Sequence, residues 1–428
     1  MTPPYDPSNP SSPEARRAAF RLLFLCLLAT GVGNNMLFAI LPPLARELEV
    51  AEFWVGAIYT LSAILFMTMT PVWGALSDRR GRKPLIIFGL SAFSVSTLVF
   101  ALATWAGESG WAPPLIAIFA MALARALFGS LGSATNPSAQ AYVADRTSRE
   151  ERTEALAGLT SAFGFGAALG PPLAAVLAGR VGVPAFMAII SVVVAICALA
   201  IWRHLPERTP PSVKPRPVNP IEQFRYAGDP RVMPFAVYGA LVWIVQSLSL
   251  SSIAFFLMDR LALNEDQGLD LSSIALFAGA MALIFAQLVV IPALKASPRV
   301  LMIIGGLAAM IGGFMMIFAD RYVGIVMGHL FLSFGFGLSR SGFVGGASVA
   351  VEPEEQGQAA GITTATAGLG FIIGPVGGLI LYAATGPNTP YIVAAILSAL
   401  AALFAWWHPG VRAAAEAIAP KPESEDPH

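Results

Sequence analysis

Long apolar runs separated by short polar turns make up most of this chain. Twelve of them lie near residues 19–45, 53–77, 84–106, 113–142, 154–179, 184–204, 232–258, 272–294, 299–319, 321–350, 358–384 and 388–408. A helix needs roughly 20 apolar residues to cross about 30 Å of hydrocarbon, and each run is long enough. Backbone groups in lipid are satisfied only in helices or closed barrels. Continuous apolar runs exclude the alternating pattern of a barrel strand. The pattern predicts an all-α polytopic membrane protein with twelve spans.

One long polar connection interrupts this rhythm, from Arg203 to Arg231, and it carries Pro206, Pro210, Pro211, Pro215, Pro217 and Pro220. Such proline density predicts an extended linker, not a packed domain. It divides the spans six and six. The expected organisation is a disordered cytoplasmic N-terminus over 1–18, a six-helix half over 19–204, a linker over 205–231, a second half over 232–408 and a cytoplasmic tail over 409–428. An internal repeat supports the division. Gly166-x-x-x-Gly170-Pro171 in span 5 matches Gly370-x-x-x-Gly374-Pro375 in span 11, an offset of 375 − 171, or 204. The same offset carries Glu150-Glu151-Arg152 onto Glu354-Glu355-Gln356.

Composition agrees with a bilayer as solvent. The 428 residues are 56% hydrophobic and 12% charged, with a mean hydropathy of +0.68, against about 25% charged residues in a soluble domain. Net charge is zero, so bulk electrostatics gives no reason to expect nucleic acid as a partner. Distribution says more. Twenty of the 26 Lys and Arg residues fall on the face that holds both termini, and only Arg46, Arg180, Arg260 and Arg321 fall on the other. The positive-inside rule then puts both termini in the cytoplasm. Cys26 and Cys197 both sit in apolar spans and imply no disulfide framework. The polar, proline-rich start lacks a signal-peptide pattern, so the first span is expected to act as the insertion signal.

Between spans 2 and 3 the chain reads Gly74-Ala75-Leu76-Ser77-Asp78-Arg79-Arg80-Gly81-Arg82-Lys83, a dense charge cluster bracketed by membrane-length segments. The pattern G-x-L-x-D-R-x-G-R-K closely resembles the loop between helices 2 and 3 of the major facilitator superfamily of transporters. The corresponding loop of the second half, Pro292 to Arg299, has lost the acid and the glycines. The resemblance implies a fold of two parallel six-helix halves, with substrate held near the midplane between them. It also implies that Asp78 faces the N-terminus of span 11, near Gly357-Gln358-Ala359, where a carboxylate would satisfy unpaired N–H groups and the positive dipole end. Alternatively, Asp78 only balances its own arginines. Gly74 and Gly81 are expected to allow a tight turn and close helix approach. Glu352, Glu354 and Glu355, an acidic exception on the basic face, could form an ionic latch with Arg79, Arg80, Arg82 and Lys83.

Embedded polar residues point to the site. Arg125 in span 4 lies about 18 Å deep at 1.5 Å per residue, near the midplane. A charge there usually faces a cavity or a partner. Its spacing Arg-x-x-x-Gly resembles the span-4 motif of drug:proton antiporters, although Phe128 replaces the usual polar residue. Proton coupling or anion recognition is the functional reading, and a structural arginine bonded to carbonyls is the alternative. The repeat offset carries Arg125 onto His329, the deeply embedded histidine of span 10, whose side chain titrates near neutral pH and could carry a proton. Arg340 is expected to snorkel to the surface. Asn34 and Asn35 in span 1, Trp243 and Gln246 in span 7 and Gln287 in span 8 are candidates to line the substrate cavity, and each is equally readable as a packing residue. The Gly164 to Pro172 segment resembles the Gly-Pro signature of exporters, with Ala174-Ala175 in place of the usual glycine pair. It is expected to be a pliable helix at the interface of the halves.

No Asp or Glu falls well inside a predicted span, which disfavours permanently cationic substrates. These features point to a secondary transporter, with proton-coupled efflux of a small organic compound as the leading reading and import or facilitated diffusion of a metabolite as the alternative. No P-loop, His-Glu-x-x-His or Ser/His/Asp arrangement suggests ATP hydrolysis or catalysis. No cofactor or metal is expected. The expected partners are a small molecule, protons and lipid, and the expected state is a monomer in a bacterial inner membrane.

Overall fold

The computed structural model describes residues 13–147, 149–207, 228–352 and 355–416. Among these, twelve helices are long and apolar enough to cross a membrane. The first, α1, runs over Pro13–Asn35 and Leu37–Glu47, and α2 and α3 follow as Glu52–Arg80 and Arg82–Glu108. The fourth, α4, joins Pro114–Leu131 to Thr135–Ala144 through a 3-10 turn at Gly132–Ala134. Next come α5 (Arg149–Val181) and α6 (Val183–His204), then α7 (Met233–Leu261). A five-residue π segment, Ala286–Val290, interrupts α8 between Glu265–Phe285 and Ile291–Leu294. The chain closes with α9 (Pro298–Phe318), α10 (Tyr322–Val349), α11 (Gln356–Thr385), α12 (Thr389–Trp407) and the short α13 (Pro409–Glu416).

Helix α1 starts at Pro13, ahead of the expected residue 19, because Glu14-Ala15-Arg16-Arg17 continues the helix beyond the apolar run. Residues 13–18 are therefore helical and not disordered. Most of the expected linker, and Glu354, lie outside the described residues. Outward faces of the helices are apolar. Leu98, Leu102, Leu123, Val192, Ile196 and Leu199 stand exposed in rows that only lipid would cover. Trp105, Trp111, Trp202, Trp406 and Trp407 cluster at helix ends, the expected place for an interfacial aromatic belt.

Contacts group the chain into two units. One holds α1–α6 together with residues 251–277 and 375–384. In it α3 packs against α4 and α6, and α1 against α5. Gly166 and Gly170 explain the second contact. A Cβ on Gly166 would run into the Leu28 carbonyl, and one on Gly170 would lie 2.7 Å from the Val32 carbonyl. The Gly-Pro segment thus serves the α1–α5 contact inside this unit. Small residues went where two backbones must approach.

The other unit holds residues 219–250, 278–374 and 385–428. It repeats the packing, with α9 against α10 and α12. Its core gathers Phe235, Tyr238, Met302, Phe336 and Phe343. Tyr238 donates to the Met302 carbonyl at 2.5 Å and lies 2.8 Å from the Ser339 hydroxyl, so it is a packing residue. A Cβ on Gly374 would meet the Ser247 hydroxyl and lie 3.0 Å from the Ile244 carbonyl, the counterpart of Gly170 against α1. Matching Val32 with Ile244 gives an offset of 244 − 32, or 212, against 204 for the glycines. A single offset therefore does not run the length of the repeat, because loop lengths differ between the spans.

Candidate substrate and coupling site

Arg125 is the one charged side chain buried in the middle of α4. Its Nη2 donates to Asn34 Oδ1 at 3.0 Å and to Ser62 Oγ at 3.3 Å, and its guanidinium lies 4.5 Å from the centre of the Phe128 ring. Its Nε is buried without a partner, and among the described residues no carboxylate pairs with it. Helix α1 carries Asn34 without a break, since Met36 keeps helical backbone at φ −56° and ψ −28° and its N–H donates to the Val32 carbonyl at 3.0 Å. Gly129 lets α4 approach α2 closely enough for Ser62 to reach the arginine, since a Cβ there would lie 2.5 Å from the Ser62 carbonyl. The space beside Arg125, lined by Gly33, Met36, Leu37, Thr97, Phe100 and Met187, has no room for a water molecule. Asn35 does not join this group. Its amide donates to the Gly31 carbonyl at 3.0 Å along its own helix.

In the second unit His329 is 1% exposed, and its Nδ1 lies 3.2 Å from Ser249 Oγ of α7. Its Nε2 is buried and unpaired. Gly279 makes the room, because a Cβ there would stand 2.6 Å from that nitrogen. Trp243 packs against Phe336 and Phe371, with centroids 4.7 and 5.8 Å away. The Arg340 guanidinium lies 5.8 Å from the Trp243 ring centre, well within α10. The expectation that Arg340 snorkels is therefore corrected, since an aromatic face receives it. Gln246, one turn beyond Trp243, is buried. Gln287 falls inside the π segment of α8, a local widening that helices often keep at functional sites.

The loop after α2 is organised around Arg82. It pairs with Asp78, donates to Asp145 at 3.0 Å from Nε, and donates to Ser77 Oγ at 2.7 Å from Nη1. The pairing of Asp78 with a nearby arginine, one of its two readings, is present here. Gly81 makes the turn, at φ +94°, whereas Gly74 lies inside α2 and a Cβ on it would make only ordinary contact with Pro137. The expected role of Gly74 in close packing is thus not needed. Glu207, which sequence reasoning missed, accepts from the Lys83 backbone N–H at 2.6 Å and so satisfies the start of α3. Arg79 is exposed.

Glu355 is held by Arg231 in a two-pronged pair at 2.9 and 3.0 Å. Arg231 also grips Asp229, which holds that carboxyl below its usual range. Glu352 is exposed, and its backbone N–H donates to Glu355 at 3.3 Å. Within the first unit a second ionic group was likewise unforeseen. Arg46 reaches both oxygens of Asp259 at 3.1 and 3.0 Å and Glu52 at 2.8 Å, while Tyr382 donates to Asp259 at 2.5 Å. The only sequence signal was that these acids stand at span ends.

Comparison with known proteins gives this arrangement its family. The chain is 26% identical over 231 residues to the multidrug resistance protein MdtG of Yersinia enterocolitica, covering 53% of this chain and about half (52%) of that relative's length. It is 28% identical over 369 residues to the class C tetracycline resistance protein of Escherichia coli, covering 83% of this chain and 87% of the relative. Among solved structures, a bacterial homolog of the human lysosomal transporter Spinster, in an inward-facing and occupied conformation, superposes with a TM-score of 0.71 at 15% identity, covering 95% and 97% of the two chains. A D-xylose–proton symporter superposes with a TM-score of 0.69 at 18% identity, covering 91% and 96%. Two matches to the model of the Major Facilitator Superfamily, over residues 23–364 and 297–427, take in nearly every span, and the chain belongs to that family of membrane transporters.

Proposed function

We propose that this transporter expels a small organic compound in exchange for protons, by alternating access between two six-helix halves over 19–204 and 232–408. The observation that carries the reading is Arg125, a buried cation with neutral partners and a buried Nε left without one. A negative or strongly polar group on a substrate would complete its hydrogen bonds, so neutral, zwitterionic or anionic compounds fit better than permanent cations. Asn34 holds the arginine in place, and Trp243, Gln246 and Gln287 are the substrate contacts proposed within the second unit. His329 is the proposed proton carrier, since its Nε2 has no competing partner and only a hydroxyl faces Nδ1. Similarity to the tetracycline and multidrug resistance proteins supports the outward direction. In this reading Asp78 leaves Arg82 to cap α11 in the outward-facing state, and Glu352, Glu354 and Glu355 exchange toward the Arg79–Lys83 cluster as the basic face closes. The basic face is cytoplasmic, and the protein works as a monomer in the inner membrane.

The fold likeness to a proton-coupled sugar symporter favours uptake as the second reading. Accumulation of a varied compound panel separates the two, in cells carrying wild type or Asp78→Asn, with and without a protonophore. Efflux predicts lower accumulation in wild type, abolished by the variant and by the protonophore. Higher accumulation in wild type would refute export.

A further inference from the structure

A cleft of about 630 Å³ opens between the first turns of α1, the end of α4 and the start of α5. Its lining is of two kinds. Arg16, Arg17 and Arg21 supply positive charge, and Phe20, Phe24, Leu25 and Leu159 supply apolar surface. The Nη1 of Arg16 donates to the Arg146 carbonyl at 3.4 Å, which ties that arginine to the end of α4. Arg17 and Arg21, one helical turn apart and both exposed, have no hydrogen-bond or ion-pair partner among the described residues. Phe20 and Phe24 repeat the same turn spacing, so the cations and the rings both run along α1 toward the apolar core of the span. Leu25, 55% exposed, marks the point where the cleft meets the lipid-facing surface. Gly158 opens the floor, since a Cβ there meets nothing within 4 Å. Among the described residues no acidic side chain lines the cleft.

We propose that this cleft binds one anionic phospholipid, with its phosphate between Arg17 and Arg21 and an acyl chain along Phe24, Leu25 and Leu159. The chemistry argues for a lipid over a soluble anion. A free phosphate would use the two guanidinium groups and leave the rings idle, whereas a lipid uses both ends of the cleft in the order in which they meet the bilayer. Basic pockets between spans at a membrane surface commonly hold acidic headgroups. The inference rests on the protein's placement in a membrane and on neither the direction of transport nor its coupling. Bound lipid would tie α1 to α4 and α5, the helices that carry Asn34, Arg125 and the Gly-Pro segment.

Native mass spectrometry of the purified full chain tests this, with phosphatidylglycerol and phosphatidylcholine as probes. Each arginine near an acidic headgroup is worth on the order of fivefold in affinity. Arg17→Gln with Arg21→Gln is therefore expected to weaken phosphatidylglycerol binding by about tenfold or more and leave phosphatidylcholine unchanged. Gly158→Phe, which alters no charge, is expected to weaken phosphatidylglycerol equally by filling the cleft, and it stands in should the double variant fail to fold. Arg203→Gln with Arg412→Gln removes two charges from the same face outside the cleft and is expected to bind as wild type does. Inorganic phosphate at millimolar concentration is expected not to displace the lipid. Equal affinity for the two lipids overturns the proposal. So does undiminished phosphatidylglycerol binding in the Gly158→Phe protein, an equal loss in the Arg203/Arg412 control, or displacement by phosphate.

Discussion

Replacing Arg125 with leucine separates a functional arginine from a structural one. Holding an arginine at the centre of a spanning helix costs about 2.5–3.5 kcal/mol. Against this stand one good charged hydrogen bond to Asn34 at 3.0 Å, a longer one to Ser62 at 3.3 Å and the Phe128 ring at 4.5 Å. A charged hydrogen bond contributes about 1.5–3 kcal/mol and a cation–π contact about 0.5–2. With the longer bond discounted, cost and gain cancel to within about 2 kcal/mol, so Arg125 contributes little to stability. Arg125→Leu is thus expected to express at wild-type levels and melt close to wild type in detergent. The same protein should lose substrate transport entirely, because Arg125 is the only cationic side chain of α4. Arg125→Lys should recover only part, since an ammonium lacks the planar fork that meets Asn34 and Ser62 together. Thermal melting and transport are measured on the same purified preparations. Retained transport in Arg125→Leu would refute the reasoning, and so would a collapse in melting temperature with loss of expression.

Other expectations follow from the same geometry. His329→Gln should abolish transport driven by a pH gradient while leaving substrate exchange without a gradient intact, and loss of both would remove His329 from proton coupling. Gly166→Ala should destabilise by about 1–3 kcal/mol through overpacking against the Leu28 carbonyl, whereas Gly164→Ala, which meets open space, should melt as wild type does. Breaking the Arg46–Asp259 pair with Asp259→Asn should cost under about 1 kcal/mol, because both side chains are about one-third exposed (35% and 36%), and a double-mutant cycle with Arg46→Gln measures the coupling. Glu207→Gln should weaken the start of α3 by about 0.3–1 kcal/mol, read as faster hydrogen exchange at the Lys83 amide.

What could be read from the sequence was whatever repeats locally. Span number and the position of Gly81 follow from hydropathy and turn chemistry, which act over a few residues. The glycine spacing in α5 correctly announced a close helix contact, yet it could not say which helix comes close, and the partner proved to be α1. Arg125 was legible because a buried charge is conspicuous on an apolar background. Its partners were legible only as candidates, and the structure joined Asn34 to it while turning Asn35 back onto its own helix. Pairings between distant segments left no local trace. Arg46 finds Asp259 across 213 residues, Lys83 finds Glu207 across 124 and Glu355 finds Arg231 across 124. Arg340 misled because depth was judged from the span end, while its environment is set by Trp243 on another helix.

The central claim is exchange of substrate against protons through Arg125 and His329. The most direct measurement reconstitutes the purified protein in liposomes, imposes a pH gradient of either sign, and follows a substrate found in the compound panel together with an internal pH dye. The account predicts substrate movement opposite to the proton flux, reversing when the gradient is reversed and absent in Arg125→Leu. Movement of substrate and protons in the same direction, or transport indifferent to the gradient, would contradict it.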